Sequence, residues 1–369
     1  MNDRPDAPAP PDSLWAYLKP VLVAGWLIIA VVIGSLLVFG RDVLVPLAIA
    51  FLIWNFINAL ATVYQRWARR MVRPAWRGGR SLALLASAAT VLLVVVLVVQ
   101  LVADSIAQLS ANAPAFRQSL REGLPSFLQG FGIDAPKLVD SMLASLNAED
   151  LLARTATALT TTAGNAGLIT VYVVFLLFEQ QSFERKLERL FENPRHALHT
   201  RRILAQIEAR IETYLRIKTL ISLLTGAVTF VVLTAFSIDY AGFWAVWTFL
   251  LNYIPNIGST VAVILPTLAS LGQYNDWLLT ASLALILGGL QFTIGNFLEP
   301  RLMGPRVNLS PFVIILSLAV WGTVWGVAGL FLCVPLTMIV VIVCAQIPAT
   351  RPIAVLLSAD GRIDYGRAD

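Results

Sequence analysis

The chain has 369 residues, of which 57% are hydrophobic and 13% are charged, with a net charge of +5. A soluble domain carries roughly 25% charged residues, so this chain has too few polar side chains to cover a soluble surface. Its composition therefore predicts an integral membrane protein. The positive charges lie in loops between apolar runs, which argues against nucleic-acid binding. The two cysteines, Cys333 and Cys344, lie in an apolar run and are expected to be buried thiols.

Six apolar runs approach the roughly 20 residues that a helix needs to cross a bilayer. In chain order they are 20–39, 43–62, 82–103, 163–178, 219–236 and 278–298. Only Gly40, Arg41 and Asp42 separate the first two runs, which predicts a tight helical hairpin. The stretch before the first run is rich in Pro and Asp and is expected to be disordered.

Two further apolar stretches, 241–271 and 311–347, are interrupted in the middle. The first contains Pro255 and Gly258, and each of its halves has about 14 residues, which rise only about 21 Å along a helix. The second is interrupted at 321–326, where Trp and Gly recur. Both stretches predict re-entrant helical hairpins, although the second could instead make two crossings. The predicted fold class is all-α, a polytopic membrane protein with about eight membrane segments.

The distribution of positive charge predicts the orientation. Segment 65–80 carries six arginines and no acid, and segment 179–218 carries nine Lys and Arg residues, so both are expected to be cytoplasmic. Segment 104–162 has four Lys and Arg residues against six acids and is expected to lie outside. The N-terminus is then cytoplasmic, and the two hairpins enter from opposite sides, as in many secondary transporters.

These features divide the chain into seven parts. They are a disordered cytoplasmic N-terminus (1–18), a helical scaffold (19–103), an outer segment (104–162), a single membrane helix (163–178), an inner segment (179–218), a transport unit with broken helices (219–347) and a cytoplasmic tail (348–369). The outer and inner segments are amphipathic, with apolar residues at helical spacing at Phe116, Leu120, Leu124, Phe127 and Phe131, and at Ile203, Ile207, Ile211 and Leu215. We expect them to lie on the membrane surface or to contact a partner subunit.

Polar residues inside apolar runs are costly, so each is a candidate site. At the first break the neutral polar residues are Asn252, Asn256 and Ser259. Pro255 ends a helix there, and Gly258 permits backbone conformations that other residues resist. The unwound tip is expected to bind a small polar solute or a cation. The alternative is a plain turn at a membrane surface, with Asn and Gly present for their geometry.

A second cluster, at the end of the last uninterrupted run, contains Asn296, Glu299 and Arg301. A carboxylate at this position could take up and release a proton or coordinate a cation. The alternative is a structural role, in which Glu299 pairs with Arg301 or with another neighbour. Asn308 and Ser310 come just before a proline and the second interrupted stretch, a pattern typical of a helix N-cap and also suited to an anion.

The sequence contains no GxxxxGK[ST] phosphate-binding loop, no HExxH and no GxSxG. We therefore expect no enzyme activity, no cofactor and no metal site, and any movement of solute would be passive or driven by a gradient. Three interpretations remain: a secondary transporter, a passive channel on the axis of an oligomer, or a membrane scaffold whose amphipathic segments bind partners.

Several motifs together carry a family resemblance. They are Asn252-Tyr-Ile-Pro-Asn-Ile-Gly258, Gly295-Asn-Phe-Leu-Glu-Pro-Arg-Leu-Met-Gly304, Asn308-Leu-Ser-Pro311, Leu316-Ser-Leu-Ala-Val-Trp-Gly322, Trp325-Gly326 and Val334-Pro-Leu-Thr337. In order and spacing they resemble the autoinducer-2 exporter (AI-2E) family of bacterial inner-membrane transport proteins, over about 21–357.

The resemblance implies a multi-pass inner-membrane protein with cytoplasmic termini. Such a protein would export autoinducer-2, a quorum-sensing signal, or exchange sodium or lithium for protons. The resemblance also implies a homo-oligomer, with a pentamer suggested. It assigns candidate transport-site roles to the residues of this chain that match the motifs, namely Asn256, Gly258, Asn296, Glu299, Arg301 and Asn308.

Overall fold

The computed structural model describes residues 24–25, 28–29, 31–71, 79–111, 118, 148–191, 193–303 and 308–362. Within these ranges all regular secondary structure is helical, which confirms the all-α prediction. The elements are α1 (31–39), α2 (Arg41–Met71), α3 (Gly79–Ala111), α4 (Ala148–Leu190), α5 (Pro194–Ala235), α6 (Ala241–Leu251), α7 (Ile257–Tyr274), α8 (Trp277–Thr293), a π-helical turn (Ile294–Leu298), α9 (Glu299–Met303), α10 (Pro311–Gln346) and α11 (Arg351–Leu357).

Six helical stretches in the described residues are long and apolar enough to cross a membrane, which confirms the prediction of a polytopic membrane protein. They are Arg41–Ala68, Gly79–Ser105, Pro194–Ala235, Ile257–Tyr274, Trp277–Met303 and Pro311–Gln346. The apolar part of α4, Ala166–Gln180, is shorter. The disordered N-terminus predicted at 1–18 and the apolar stripe predicted between 116 and 131 lie outside the described residues.

The connection between the first two helices is shorter than the sequence predicted. A single turn residue, Gly40, separates α1 from α2, and its amide donates to the carbonyl of Leu36 at 2.8 Å. Its own carbonyl accepts the amides of Val43 and Leu44 at 3.0 and 2.9 Å. A Cβ at this position would lie 2.6 Å from the Leu36 oxygen, so the turn requires glycine.

Helix α5 runs without a break through the inner amphipathic segment and the following apolar run, across the predicted boundary at 218/219. Ile211 and Leu215 are buried in one cluster with Val341 of α10 and Ala354 of α11. The apolar stripe predicted to face a membrane surface or a partner therefore packs within the chain, where it removes apolar area from solvent. Glu212 and Arg216, four residues apart on α5, form an ion pair.

The break predicted near Pro255 forms a helical hairpin from α6 and α7. The turn between them contains Asn256 at φ 60° and ψ −55°, the centre of a γ-turn in which the Ile257 amide donates to the Pro255 carbonyl at 2.6 Å. Gly258 then packs against the end of α6, where a Cβ would lie 1.8 Å from the carbonyl oxygen of Leu251. The two limbs are unequal, with 11 and 18 residues, so α7 is longer than the half-helix expected from the sequence.

The break predicted at 321–326 is also a hairpin, formed within α10 at Gly326. This residue has φ 59° and ψ −137°, which side chains with a Cβ strongly resist. The two limbs lie side by side, because the Trp321 indole donates to Thr337 Oγ1 at 3.1 Å although 16 positions separate them. A Cβ on Gly329 would lie 1.8 Å from the Trp321 oxygen, so this hairpin repeats the glycine-on-carbonyl contact of the first.

The helices before and after α5 form two packed groups that meet along α2 and α3, where Val102 of α3 is buried in one cluster with Phe243 of α6. Ala50 and Ile57 of α2 share a buried cluster with Val173 of α4, and residues of α3 pack against it. Residues of α2 also pack against the cluster formed by α5, α10 and α11. At the tip of the second hairpin, the Trp325 indole donates to the Leu37 carbonyl in α1 at 3.0 Å. The second hairpin is therefore anchored to the first helices at its tip.

The two hairpin glycines give a stability prediction. Gly258→Ala and Gly329→Ala each force a Cβ into a backbone carbonyl, so we expect each to lower the free energy of unfolding by roughly 2 kcal/mol or more. Gly288→Ala is the matched control, since a Cβ there meets nothing within 4 Å, and alanine is the better helix former. Thermal unfolding in detergent measures all three. Equal melting temperatures for the two hairpin variants and the control would contradict the assigned contacts.

Candidate functional site

The main polar feature of the C-terminal half is a buried ion pair between Lys218 of α5 and Glu299 of α9. The ammonium nitrogen lies 2.5 Å from the carboxylate Oε1. The two side chains are 4% and 24% exposed. Because an isolated charge in such surroundings is very unfavourable, each of these groups needs the other. The pair is therefore the first candidate for a transport site.

The π-helical turn places Glu299 at this position. Five residues after α8, 294–298, adopt the wider helical turn, and the Glu299 amide donates to the Ile294 carbonyl five residues earlier. Such a turn inserts one residue into a helix, so the side chains that follow it lie on a different face. π-Turns are frequent at functional sites. Here the insertion brings the carboxylate to α5, while Arg301, two residues further on, is exposed.

The first hairpin reaches the same part of α5. The Tyr253 hydroxyl lies 2.7 Å from Thr219 Oγ1, and Asn252 Nδ2 donates to Ser222 Oγ at 3.1 Å. Asn252 and Ser222 are both buried. Less than one and a half helical turns of α5 therefore contact the hairpin tip and carry the lysine of the ion pair. The structure thus brings Asn252 and Glu299, two residues singled out in the sequence, to one stretch of α5.

The surroundings of this stretch are largely apolar. Tyr214 of α5, Ile254 of the first hairpin tip and Cys333 of the second hairpin are buried in one cluster. The rings of Tyr253 and Phe331 lie 6.5 Å apart, so the two hairpins meet here. A proton or a monovalent cation could take the place of the ammonium group beside this carboxylate, and the displaced charge of Lys218 would then be without its partner. In the described residues no group of three or more His, Cys, Asp or Glu side chains could hold a metal ion.

The other residues of the first break shape the turn itself. The Asn256 carbonyl accepts the hydroxyls of Ser259 at 2.9 Å and Thr260 at 3.1 Å. The Asn256 side chain is exposed, and Pro255 is half-buried. These contacts agree with the alternative interpretation of a geometric turn for Asn256 and Ser259. Asn252 differs from them, because its side chain bonds across to another helix.

The remaining predicted residues lie elsewhere. The Asn296 amide donates to the Phe292 carbonyl one turn back in its own helix at 3.0 Å. Asn308 holds the C-terminal segment, since its Oδ1 accepts the Ala359 amide at 3.2 Å and its Nδ2 donates to the Arg362 carbonyl at 2.9 Å. Ser310 stands at the N-cap position of α10, as predicted, but its side chain makes no capping hydrogen bond.

Sequence reasoning missed Lys218, Thr219 and Ser222. Lys218 was counted among the positive charges of an extramembrane segment, because it precedes an apolar run. A signal for its burial was present: polar residues recur on one face of α5 at Lys218, Ser222, Thr225 and Thr229, and all four are buried. Helical spacing of polar residues within an apolar helix indicates a face turned toward protein rather than lipid.

The ion pair gives a stability prediction, in which removing one partner has a different effect from removing both. Lys218→Met or Glu299→Gln alone leaves one buried group without its partner and should cost roughly 3 kcal/mol. The double variant removes both charges and should recover most of that loss. Lys186→Met is the control, because the Lys186–Glu179 pair has side chains 67% and 47% exposed, and exposed pairs contribute little. Thermal unfolding of the four variants tests the coupling, and strictly additive losses in the double variant would exclude it.

Comparison with known proteins agrees with this architecture. The family model described as AI-2E family transporter matches residues 27–349. The chain is 32% identical to "AI-2 transport protein TqsA" of Escherichia coli strain K12, over 92% of this chain and 98% of that protein. It is 30% identical to "Putative transport protein YhhT" of the same organism, over 86% and 88% of the two chains. A "Putative transport protein" of Borreliella burgdorferi is 38% identical over 52% of this chain and 54% of its own length.

The match covers nearly all the helices described above, including both hairpins and the ion pair. It also confirms the resemblance drawn from the motifs between 252 and 337, because the family model extends over all of them. Composition, six membrane-length helices and the family match agree on a multi-pass membrane protein of a transporter family. The chain belongs to the AI-2E family of transporters.

Proposed function

We propose that the chain is a gradient-driven secondary transporter of a small polar solute. The solute is autoinducer-2, which would be exported, or sodium or lithium, which would be exchanged for protons. The name of the E. coli relative, an AI-2 transport protein, supports the first cargo. The ion pair of Lys218 and Glu299 supports a coupled mechanism. Glu299 is the carboxylate that binds the coupling proton or cation.

The observation that carries the proposal is the position of this pair. A carboxylate and an ammonium group meet where the first hairpin tip, the second hairpin and α5 come together. Ionisable residues inside membrane segments mark ion and proton pathways, because they are otherwise too costly to keep. Binding of a proton or cation to Glu299 would release Lys218 and change the net charge of the junction. That change gives the two states of a transport cycle different energies.

In the proposed cycle the unit at 219–347 moves against α1–α4, with the hairpin tips lining the solute path. The protein lies in the bacterial inner membrane with both termini in the cytoplasm, in accordance with the arginine-rich segment 65–80. A homo-oligomer, with five subunits as the family resemblance suggests, would hold the scaffold helices still during this motion. The contact of Trp325 with Leu37 lies at the boundary that such a motion would break.

The test uses purified protein in proteoliposomes that contain a pH-sensitive dye. A proton gradient is imposed, and sodium, lithium and autoinducer-2 are added in turn. One of them should cause proton movement in the native protein. Glu299→Gln should lower that coupled movement roughly tenfold or more, because it removes a charged ligand. Glu179→Gln, in an exposed ion pair, should leave it unchanged.

The other outcomes point to other functions. A fully active Glu299→Gln variant would remove the carboxylate from the coupling step. Solute flux that does not depend on any gradient, with ion currents in a planar bilayer, would favour a passive channel. No response in correctly inserted protein, together with loss of function on deleting 112–147, would favour a membrane scaffold.

A further inference from the structure

A cavity of about 1590 Å³ lies apart from the ion pair, between α2, α3, α4 and α5. Its wall includes one face of α2, the beginning of α3, Gln180 of α4, and Glu208 and Glu212 of α5. The motifs discussed above contribute no residue to this wall. This volume is larger than the roughly 300–1,000 Å³ of a typical small-molecule site.

Helix α2 contributes a polar stripe to this cavity. Asn55, Asn58, Thr62 and Gln65 are spaced by three, four and three residues, so they share one helical face, and all four line the cavity. Asn55 is only 4% exposed. Amide side chains in a membrane helix are unfavourable against lipid, so this stripe indicates a cavity that holds water or a polar solute.

Hydrogen bonds fix the direction of the two asparagine amides in this stripe. Asn55 Nδ2 donates to the Phe51 carbonyl at 2.8 Å, and Asn58 Nδ2 donates to the Trp54 carbonyl at 3.1 Å. A carbonyl oxygen only accepts, so in each case the nitrogen must face the backbone and Oδ1 is left for the cavity. Both asparagines therefore offer acceptors.

Gln180 has the opposite polarity. Its Oε1 accepts the Trp54 indole N–H at 3.1 Å, and an indole can only donate. The amide nitrogen Nε2 is therefore the free end. It is buried and has no hydrogen-bond partner in the part of the chain that the structure describes. A buried donor without a partner costs roughly 1–3 kcal/mol, which a bound acceptor would remove.

The cavity wall carries charges of both signs. Arg80 lines it together with Glu208 and Glu212, and Glu212 is paired with Arg216, which lies outside the wall. A cation and an anion would therefore each meet a charge of their own sign there. A hydroxyl group can donate to an asparagine oxygen and accept from the Gln180 nitrogen, which no simple cation or anion does.

We propose that this cavity binds a small, uncharged solute rich in hydroxyl groups. Asn55 and Asn58 accept from its hydroxyls, and Gln180 donates to one of them. This inference rests on the proposed transport function, in which the transported solute binds first in this cavity. Helix α5 links it to the coupling pair, since Glu212 and Lys218 are six residues, or about 9 Å, apart along one helix.

The test measures solute binding without relying on transport. Thr62→Cys is introduced into a Cys333→Ala/Cys344→Ala background, because Thr62 lines the cavity and its hydroxyl is already bonded to the Ala59 carbonyl. The rate of maleimide labelling is measured on the full-length protein with D-ribose or xylitol at increasing concentration. Saturable slowing of the labelling by these neutral polyols is expected. Sodium chloride and sodium acetate should have no such effect.

Two further variants connect the protection to the named amides. Asn55→Leu and Asn58→Leu, added separately to the labelling variant, should raise the half-protective polyol concentration roughly three- to tenfold, as expected for one lost hydrogen bond. Labelling without solute should keep its rate, which shows that the cavity is intact. Ala349→Cys, exposed in the turn after α10, is the control position and should be labelled equally with and without polyol.

Failure of this proposal and failure of the transport proposal give different results. Glu299→Gln in the labelling background should lose coupled transport but keep polyol protection. Protection from labelling by the polyol, with no transport in the native protein, would support the binding site and contradict the transport function. Coupled transport without polyol protection, or equal protection by sodium or acetate, would overturn the cavity assignment.

Discussion

The buried contact between the Lys218 ammonium group and the Glu299 carboxylate constrains the whole C-terminal half. Neither charge is tolerable in apolar surroundings without the other. Helix α5 must therefore carry its lysine to the place where the π-helical turn delivers the carboxylate. The first hairpin then packs on the same stretch of α5 through Asn252 and Tyr253, and its amide and hydroxyl satisfy polar groups that lipid could not.

Both hairpins use the same local construction. In each, a glycine of the second limb lies against a carbonyl of the first, Gly258 on Leu251 and Gly329 on Trp321. This contact brings the limbs close enough for short polar bonds between them, such as that of Trp321 with Thr337. The two hairpins meet at Tyr253 and Phe331, whose rings lie 6.5 Å apart.

Helix α5 connects the two polar regions of the molecule. Its first half forms part of the wall of the amide-lined cavity, and its middle carries the ion pair. The cavity presents neutral donors and acceptors of fixed direction, which suits recognition of a solute. In the proposed transport mechanism, the ion pair is where the coupling ion binds. A solute bound in the cavity and an ion bound at Glu299 would therefore act on the same helix.

The sequence by itself determined the membrane class, the helical fold and the positions of both breaks, because hydropathy, proline and glycine act over a few residues. It also identified Asn252 and Glu299 as unusual polar groups. Only the tertiary structure decided that Glu299 pairs with Lys218, 81 positions away, rather than with nearby Arg301. It also decided that the stripe ending at Leu215 packs inside the chain, and that Asn308 holds the C-terminal segment. Such pairings depend on which helix faces meet, and local sequence patterns do not specify that.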